Sequence, residues 1–147
     1  MKQGLFEESR SELESQTVSA FGYELIREDV LSDLLGKNAP QLLYWAGKNL
    51  ARKYPLQSIE EIISFFETAG WGTLTVDRMK KNEMECHLTG ELIAARIKKN
   101  AEHSFQLEAG FLAQQIQQQT NQLTESYEQL KKRALKVIFT VKSEKLT

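Results

Sequence analysis

The sequence predicts a small α+β domain, and three observations carry that reading. Ser104–Gln119 places Phe105, Ala109, Leu112 and Ile116 at i, i+4, i+7 and i+11, the stripe of a helix with one buried face. Leu43, Ala46, Gly47, Leu50 and Tyr54 form a second such stripe, ended by Pro55. Leu74 with Val76, Met84 with Cys86 and Leu88, and Leu135 with Val137, Phe139 and Val141 alternate with other residues at the period of a strand. Both long helices carry an interior glycine, Gly47 and Gly110, a choice that costs about 1 kcal/mol relative to alanine. Each glycine therefore marks a place where another backbone or a ligand comes close.

Composition bounds the function. The 147 residues suit one domain with a real core. A net charge of −1 supplies no general attraction for nucleic acid or anionic lipid. The single cysteine, Cys86, rules out an internal disulfide framework. There is no apolar segment of signal-peptide character at the start and none of the roughly 20 residues needed to span a bilayer. The expectation is a cytoplasmic protein with no membrane span.

In chain order, residues 1–17 are polar and acidic and read as an N-terminal arm, flexible or a frayed helix, followed by a single domain over residues 18–147. Ile26, Val30, Leu31 and Leu34 follow helical spacing from Phe21, with Gly36 as the C′ stop. Asn38 is positioned to cap the next helix, with Pro40 in its first turn. Ser58 and Glu61 form a capping box before Ile59, Ile62, Ile63 and Phe66, and Gly70 closes that helix. Lys80, Lys81 and Asn82 read as a hairpin turn between two strands, the second with Cys86 inward and Glu85 and His87 outward. Residues 90–100 are ambiguous: Ile93 and Ile97 fit a helical turn, and Lys98, Lys99 and Asn100 a loop. Leu123, Tyr127, Leu130 and Ala134 lean slightly toward a helix, although a third strand there would complete a sheet. The glutamines Gln114, Gln115, Gln117, Gln118 and Gln119 read as a solvated helix face.

Tyr44-Trp45-Ala46-Gly47-Lys48, Ala69-Gly70-Trp71-Gly72 and Glu108-Ala109-Gly110-Phe111-Leu112-Ala113 together resemble one superfamily. They are similar to the vinyl-reductase-type small-molecule-binding domains, relatives of the TRAPP subunits and haem nitric-oxide-binding domains, and within these to a YslB-type family of bacillus proteins. The resemblance spans roughly Phe21 to Val141. It implies a twisted antiparallel sheet of about four strands packed against several helices, often in a homodimer, and it turns the reading of residues 121–130 from helix to strand. It conveys no activity. Many such domains carry cysteines just before the Ala-Gly-Phe motif and in the last strand. This chain has Phe105 and Leu135 to Val141 there, with no cysteine, so no metal site is assigned.

No catalytic residues are assigned either. Cys86 and His87 are adjacent on a strand and point to opposite faces. His103 reads as a capping or solvent-facing residue, and Glu60, Glu61 and Glu67 as helix surface. Tyr44, Trp45, Gly47, Phe66, Trp71, Gly110 and Phe111 are the candidate ligand-binding residues, read either as the lining of an apolar pocket or as core. Arg52 and Arg96 are candidate anchors for an anion, and Lys131-Lys132-Arg133 a solvated turn. Two functions follow: a non-catalytic module for a small apolar or lipid-like ligand, with no cofactor assigned, or a structural or adaptor homodimer whose two glycines form the contact between subunits.

Overall fold

The computed structural model describes residues 10–99 and 105–144. Contacts divide the chain after Leu34 into two units.

The first unit is helical. Residues 10–14 are helical and are followed by α1 (Ala20–Glu24), a π-helical turn (Leu25–Val30) and α2 (Leu31–Leu35). Ser19 caps α1 by accepting a hydrogen bond from the Phe21 amide at 3.2 Å. The Leu31 amide bonds back to the Ile26 carbonyl, the i→i+5 pairing of a π-turn. Gly36 takes a positive φ of 66°, as a C′ stop requires.

The second unit holds α3 (Ala39–Lys53), α4 (Ile59–Thr68), β1 (Thr73–Lys80), β2 (Glu83–Thr89), α5 (Glu91–Lys98), α6 (Gln106–Thr120), β3 (Leu123–Lys131) and β4 (Lys136–Glu144). All neighbouring strands are antiparallel, in the order β1-β2-β4-β3. The sheet's inner face is built by alternation: Leu74, Met84, Cys86, Leu88, Val137, Phe139 and Val141 join one core with residues from α4, α5 and α6. Ser58 caps α4 through the Glu61 amide at 3.2 Å, as the capping box predicts. Gly70, at φ 74°, ends that helix.

Several local expectations are corrected. Asn38 makes no capping bond, because a 3₁₀ turn (Gly36–Asn38) leads into α3 and leaves it outside the extended geometry of an N-cap. Residues 91–98 are a full helix, with Ile93, Arg96 and Ile97 buried. The strand over residues 123–131 settles the ambiguity there. The late helix begins at Gln106, and Ser104 lies outside the described residues. Leu135 leaves the strand alternation: it sits in the turn before β4 with φ 52° and packs its side chain on the core.

Candidate functional site

The two long helices α3 and α6 cross through their glycines. A Cβ added to Gly110 would lie 2.8 Å from the Tyr44 carbonyl carbon and closer still to its oxygen. A Cβ on Gly47 would lie 2.8 Å from the Phe111 amide nitrogen and closer still to the Leu107 carbonyl oxygen. Each helix therefore rests its backbone on the glycine of the other, an approach only hydrogen permits. Both glycines are buried. This contact lies within one chain, so the expectation that these glycines join two subunits is corrected.

The aromatic candidates separate. Phe66, Trp71 and Phe111 come together, joined by Phe65. Phe111 stacks on Phe65 at 4.7 Å and meets Trp71 edge-on at 5.1 Å; Phe66 meets Trp71 edge-on at 5.1 Å. Phe66, Trp71 and Phe111 are buried and fill one another's space as core. Trp45 is not part of this set: it is 60% exposed, on the outer side of α3 with exposed Leu42 three residues before it.

Tyr44 does something else. Its hydroxyl donates to Glu125 Oε2 at 2.6 Å and accepts from the Ser126 amide at 2.9 Å. Lys48, one turn on, bonds Glu125 Oε1 at 2.6 Å. Burial, then the bond to Glu125, holds the Tyr44 hydroxyl above the ordinary phenol range. Because β3 is an edge strand, its outward amides need partners. Ser126 finds Tyr44, and Thr124 finds Gln117 Oε1 at 3.2 Å.

The glutamine run corrects the solvated-face reading. Gln115 is fully buried, accepts from the Leu56 amide at 3.0 Å and donates to the Tyr54 carbonyl at 2.8 Å. Gln119 donates to the Leu56 carbonyl at 3.0 Å. These amides satisfy the α3–α4 connection, which would otherwise bury bare peptide groups. The available signal was the proximity of Pro55: a chain reversal packed beside a helix needs side-chain partners for its backbone.

Cys86 is a core residue, its thiol pushed up to about 12 by burial and then by the Glu85 charge. On the opposite face, His87 Nε2 lies 2.9 Å from Glu85 Oε2 and 3.8 Å from Asp77 Oδ2. A β-bulge between Val76 and Arg78 brings Asp77 to this group. The bond to His87 holds the Glu85 carboxyl below its usual range. Three ligand atoms this close resemble a metal site, but Lys136 Nζ sits 3.2 Å from His87 Nδ1. A metal on Nε2 would require an N–H at Nδ1, facing that ammonium. The donor set suits an internal charge network better than a cation. His103 lies outside the described residues. Arg96 is buried against the Phe105 ring, which removes it as an accessible anion anchor, while Arg52 is exposed.

Surface clefts are also present among the described residues. One, about 170 Å³, has Ile59, Met79, Met84, Ile116 and Val141 among its walls. The other, about 350 Å³ and open, runs past Trp71, Gly72 and Gly90 with Glu67 and Glu91 at its lip.

This sheet order and helix set define a vinyl-4-reductase-like fold. The chain matches the structure of a vinyl-4-reductase family protein from Methanocaldococcus jannaschii with a TM-score of 0.69 and 18% identity, covering 93% of this chain and 89% of that one. The chain belongs to the family described as "Protein of unknown function (DUF2507)", which residues 20–142 match. It is 56% identical over 137 residues to the uncharacterized protein YslB of Bacillus subtilis (strain 168), with 93% of each chain covered. Among the described residues no helix is long and apolar enough to cross a membrane.

Proposed function

We propose that this chain is a non-catalytic adaptor that works by docking protein surfaces, as a homodimer. One observation carries the reading. Seven of the twelve large apolar side chains exposed among the described residues lie in the first unit, between Leu13 and Leu34. Scattered exposed apolar residues are ordinary, but a concentration of them marks an interaction surface. The interior argues the same way, since the aromatic candidates contact one another and the glycine spaces are taken by backbone. Light scattering on the purified full chain tests it: a dimer at micromolar concentration is expected, and a monomer up to 100 µM ends the homodimer reading.

A small apolar ligand is the second reading, favoured by the cleft walled by Ile59, Met79, Met84, Ile116 and Val141. Its size suits a short aliphatic chain rather than a drug-sized molecule. Thermal melts with octanol as the probe test it. Stabilisation that Met79→Trp abolishes supports occupancy of the cleft, and an unchanged melt rejects it.

A further inference from the structure

The face of the sheet turned away from the core gathers a lysine, a histidine and two carboxylates. His87 pairs with Ile138 across β2 and β4, and Lys136 lies two residues before Ile138, so both side chains project from the same face. Lys136 Nζ stands 3.2 Å from His87 Nδ1, and His87 Nε2 stands 2.9 Å from Glu85 Oε2. An ammonium only donates, so Nδ1 presents its lone pair to Lys136 and Nε2 carries the ring proton toward Glu85. Asp77 Oδ2, 3.8 Å from Nε2, adds a second carboxylate on that side of the ring. Lys136 is half-buried, not enclosed.

A nucleophile, a base within hydrogen-bond reach of it, and a third group that orients the base make up the general arrangement of an activated side chain. We propose that Lys136 is a modification site, the acceptor for an activated acyl group on a phosphate-bearing carrier, with His87 as its base and Glu85 as the residue that positions His87. Lys136 attacks the carbonyl carbon as its neutral amine. As the C–N bond forms, the proton of the adduct's nitrogen passes to His87 Nδ1. The bond from the carbonyl carbon to the carrier's oxygen or sulfur breaks, and the carrier leaves with the electron pair. Glu85 and Asp77 stabilise the imidazolium, which returns its proton to water and leaves Lys136 as an amide.

The surrounding charge favours both the donor and the product. Lys131 stands directly opposite Lys136 in the register of β3 and β4, and Lys132 and Arg133 lie in the turn between them. These cations draw an anionic carrier to the site. Like charges directly opposite one another weaken a strand pair, and acylation of Lys136 removes one of the two. Lys131 shares this basic surrounding but is separated from His87 by β4, which makes it the internal control.

Incubating the full chain with acetyl phosphate, and following each lysine by peptide mass spectrometry, tests the assignment. Lys136 should acetylate about tenfold faster than Lys131, a modest share of the roughly 10²–10⁴ that a positioned base contributes. His87→Gly should bring Lys136 down to the rate of Lys131, and added imidazole should restore part of the loss. His87→Gln keeps a hydrogen-bonding side chain of similar size without the base and should lose the same rate, which covers a glycine variant that fails to fold. Glu85→Gln should slow Lys136 while leaving Lys131 unchanged, and Glu85→Asp should recover part of the difference. Acetyl-coenzyme A in a parallel incubation separates a thioester from an acyl phosphate as the carrier; selectivity for Lys136 with either supports the proposal. Equal rates at Lys136 and Lys131 with both donors overturn it in the wild-type chain alone. A faster Lys136 that keeps its rate in the His87 variants overturns the role of His87 and with it the site.

Discussion

Replacing Gly110 with alanine should unfold the domain more easily, even though alanine is the better helix former. On an exposed helix the change would stabilise by about 1 kcal/mol. Here the new methyl would sit 2.8 Å from the Tyr44 carbonyl carbon and 3.1 Å from its Cα. Carbon atoms pack at about 3.5–4.0 Å, so α3 and α6 must part by roughly 1 Å. Neither neighbour is a side chain that can rotate away; both belong to the backbone of the opposing helix. Overpacking of a core typically costs about 1–3 kcal/mol, sometimes more. A rigid backbone clash belongs at the upper end, so the net loss should be about 2–3 kcal/mol after the propensity gain. For a chain of this size that is a fall in Tm on the order of 10 °C. Thermal melts and urea titrations followed by circular dichroism measure it, with Gly47→Ala expected to behave alike because the Phe111 amide nitrogen lies 2.8 Å from its added Cβ. A Tm equal to or above wild type in both variants would refute the idea that the crossing requires hydrogen at these positions.

Other outcomes follow from the polar groups. Tyr44→Phe removes the acceptor of the Ser126 amide and the donor to Glu125; it should cost about 1–3 kcal/mol and raise hydrogen exchange at Ser126, whereas unchanged protection there would reject the edge-capping role. Gln115→Leu keeps the bulk of a buried residue but strips partners from the Leu56 amide and the Tyr54 carbonyl, so a loss of about 2–4 kcal/mol is expected in urea denaturation. Cys86 should resist iodoacetamide at pH 8 until the chain unfolds, since its folded thiol is pushed up to about 12 from 9.0. The raised value means that the native state keeps a proton the unfolded chain releases, so stability falls as pH rises from about 9 toward 12, and Cys86→Ala should remove that part of the alkaline slope. Glu85 acts oppositely: its lowered carboxyl contributes stability above the ordinary value of 4.5 that is lost as pH falls through its folded value.

Much of the architecture was legible because it rests on periodicity. Leu74, Cys86, Leu88 and Val137 alternate as strand residues and all reach the core. Gly36, Gly70 and the Ser58 cap also lie where turn chemistry places them. The harder stretch was residues 121–130, where helical spacing competes with a strand that only its neighbour β4 makes favourable; such pairing is nonlocal and invisible to a window of local sequence. The candidate site was legible in part. Gly47 and Gly110 were recognisable as places of close approach, but each helix's partner was not, since nothing in either stripe names the other. Trp45 and Trp71 look alike as sequence yet end on opposite sides of the surface. The glutamines failed for a related reason: Gln115 is polar by composition and buried by necessity, because the peptide groups of residues 54 and 56 need partners.

The glycine crossing and the closed edge of β3 are one device. Tyr44 offers its carbonyl to the space above Gly110 and its hydroxyl to the Ser126 amide. The close approach of α3 is thus what lets a single tyrosine reach the sheet. Lys48 and Gln117 extend the same closure to Glu125 and Thr124. Were α3 to stand an ångström further out, the Tyr44 and Lys48 bonds would lengthen together, and β3 would expose the Ser126 amide to pairing with another strand, while Gln117, on α6, would still cover Thr124. At the opposite edge β1 carries the Asp77 bulge and the exposed charges of Arg78 and Lys80, which discourage strand addition without a covering helix. With both edges blunted in different ways, association through the sheet is disfavoured at either side.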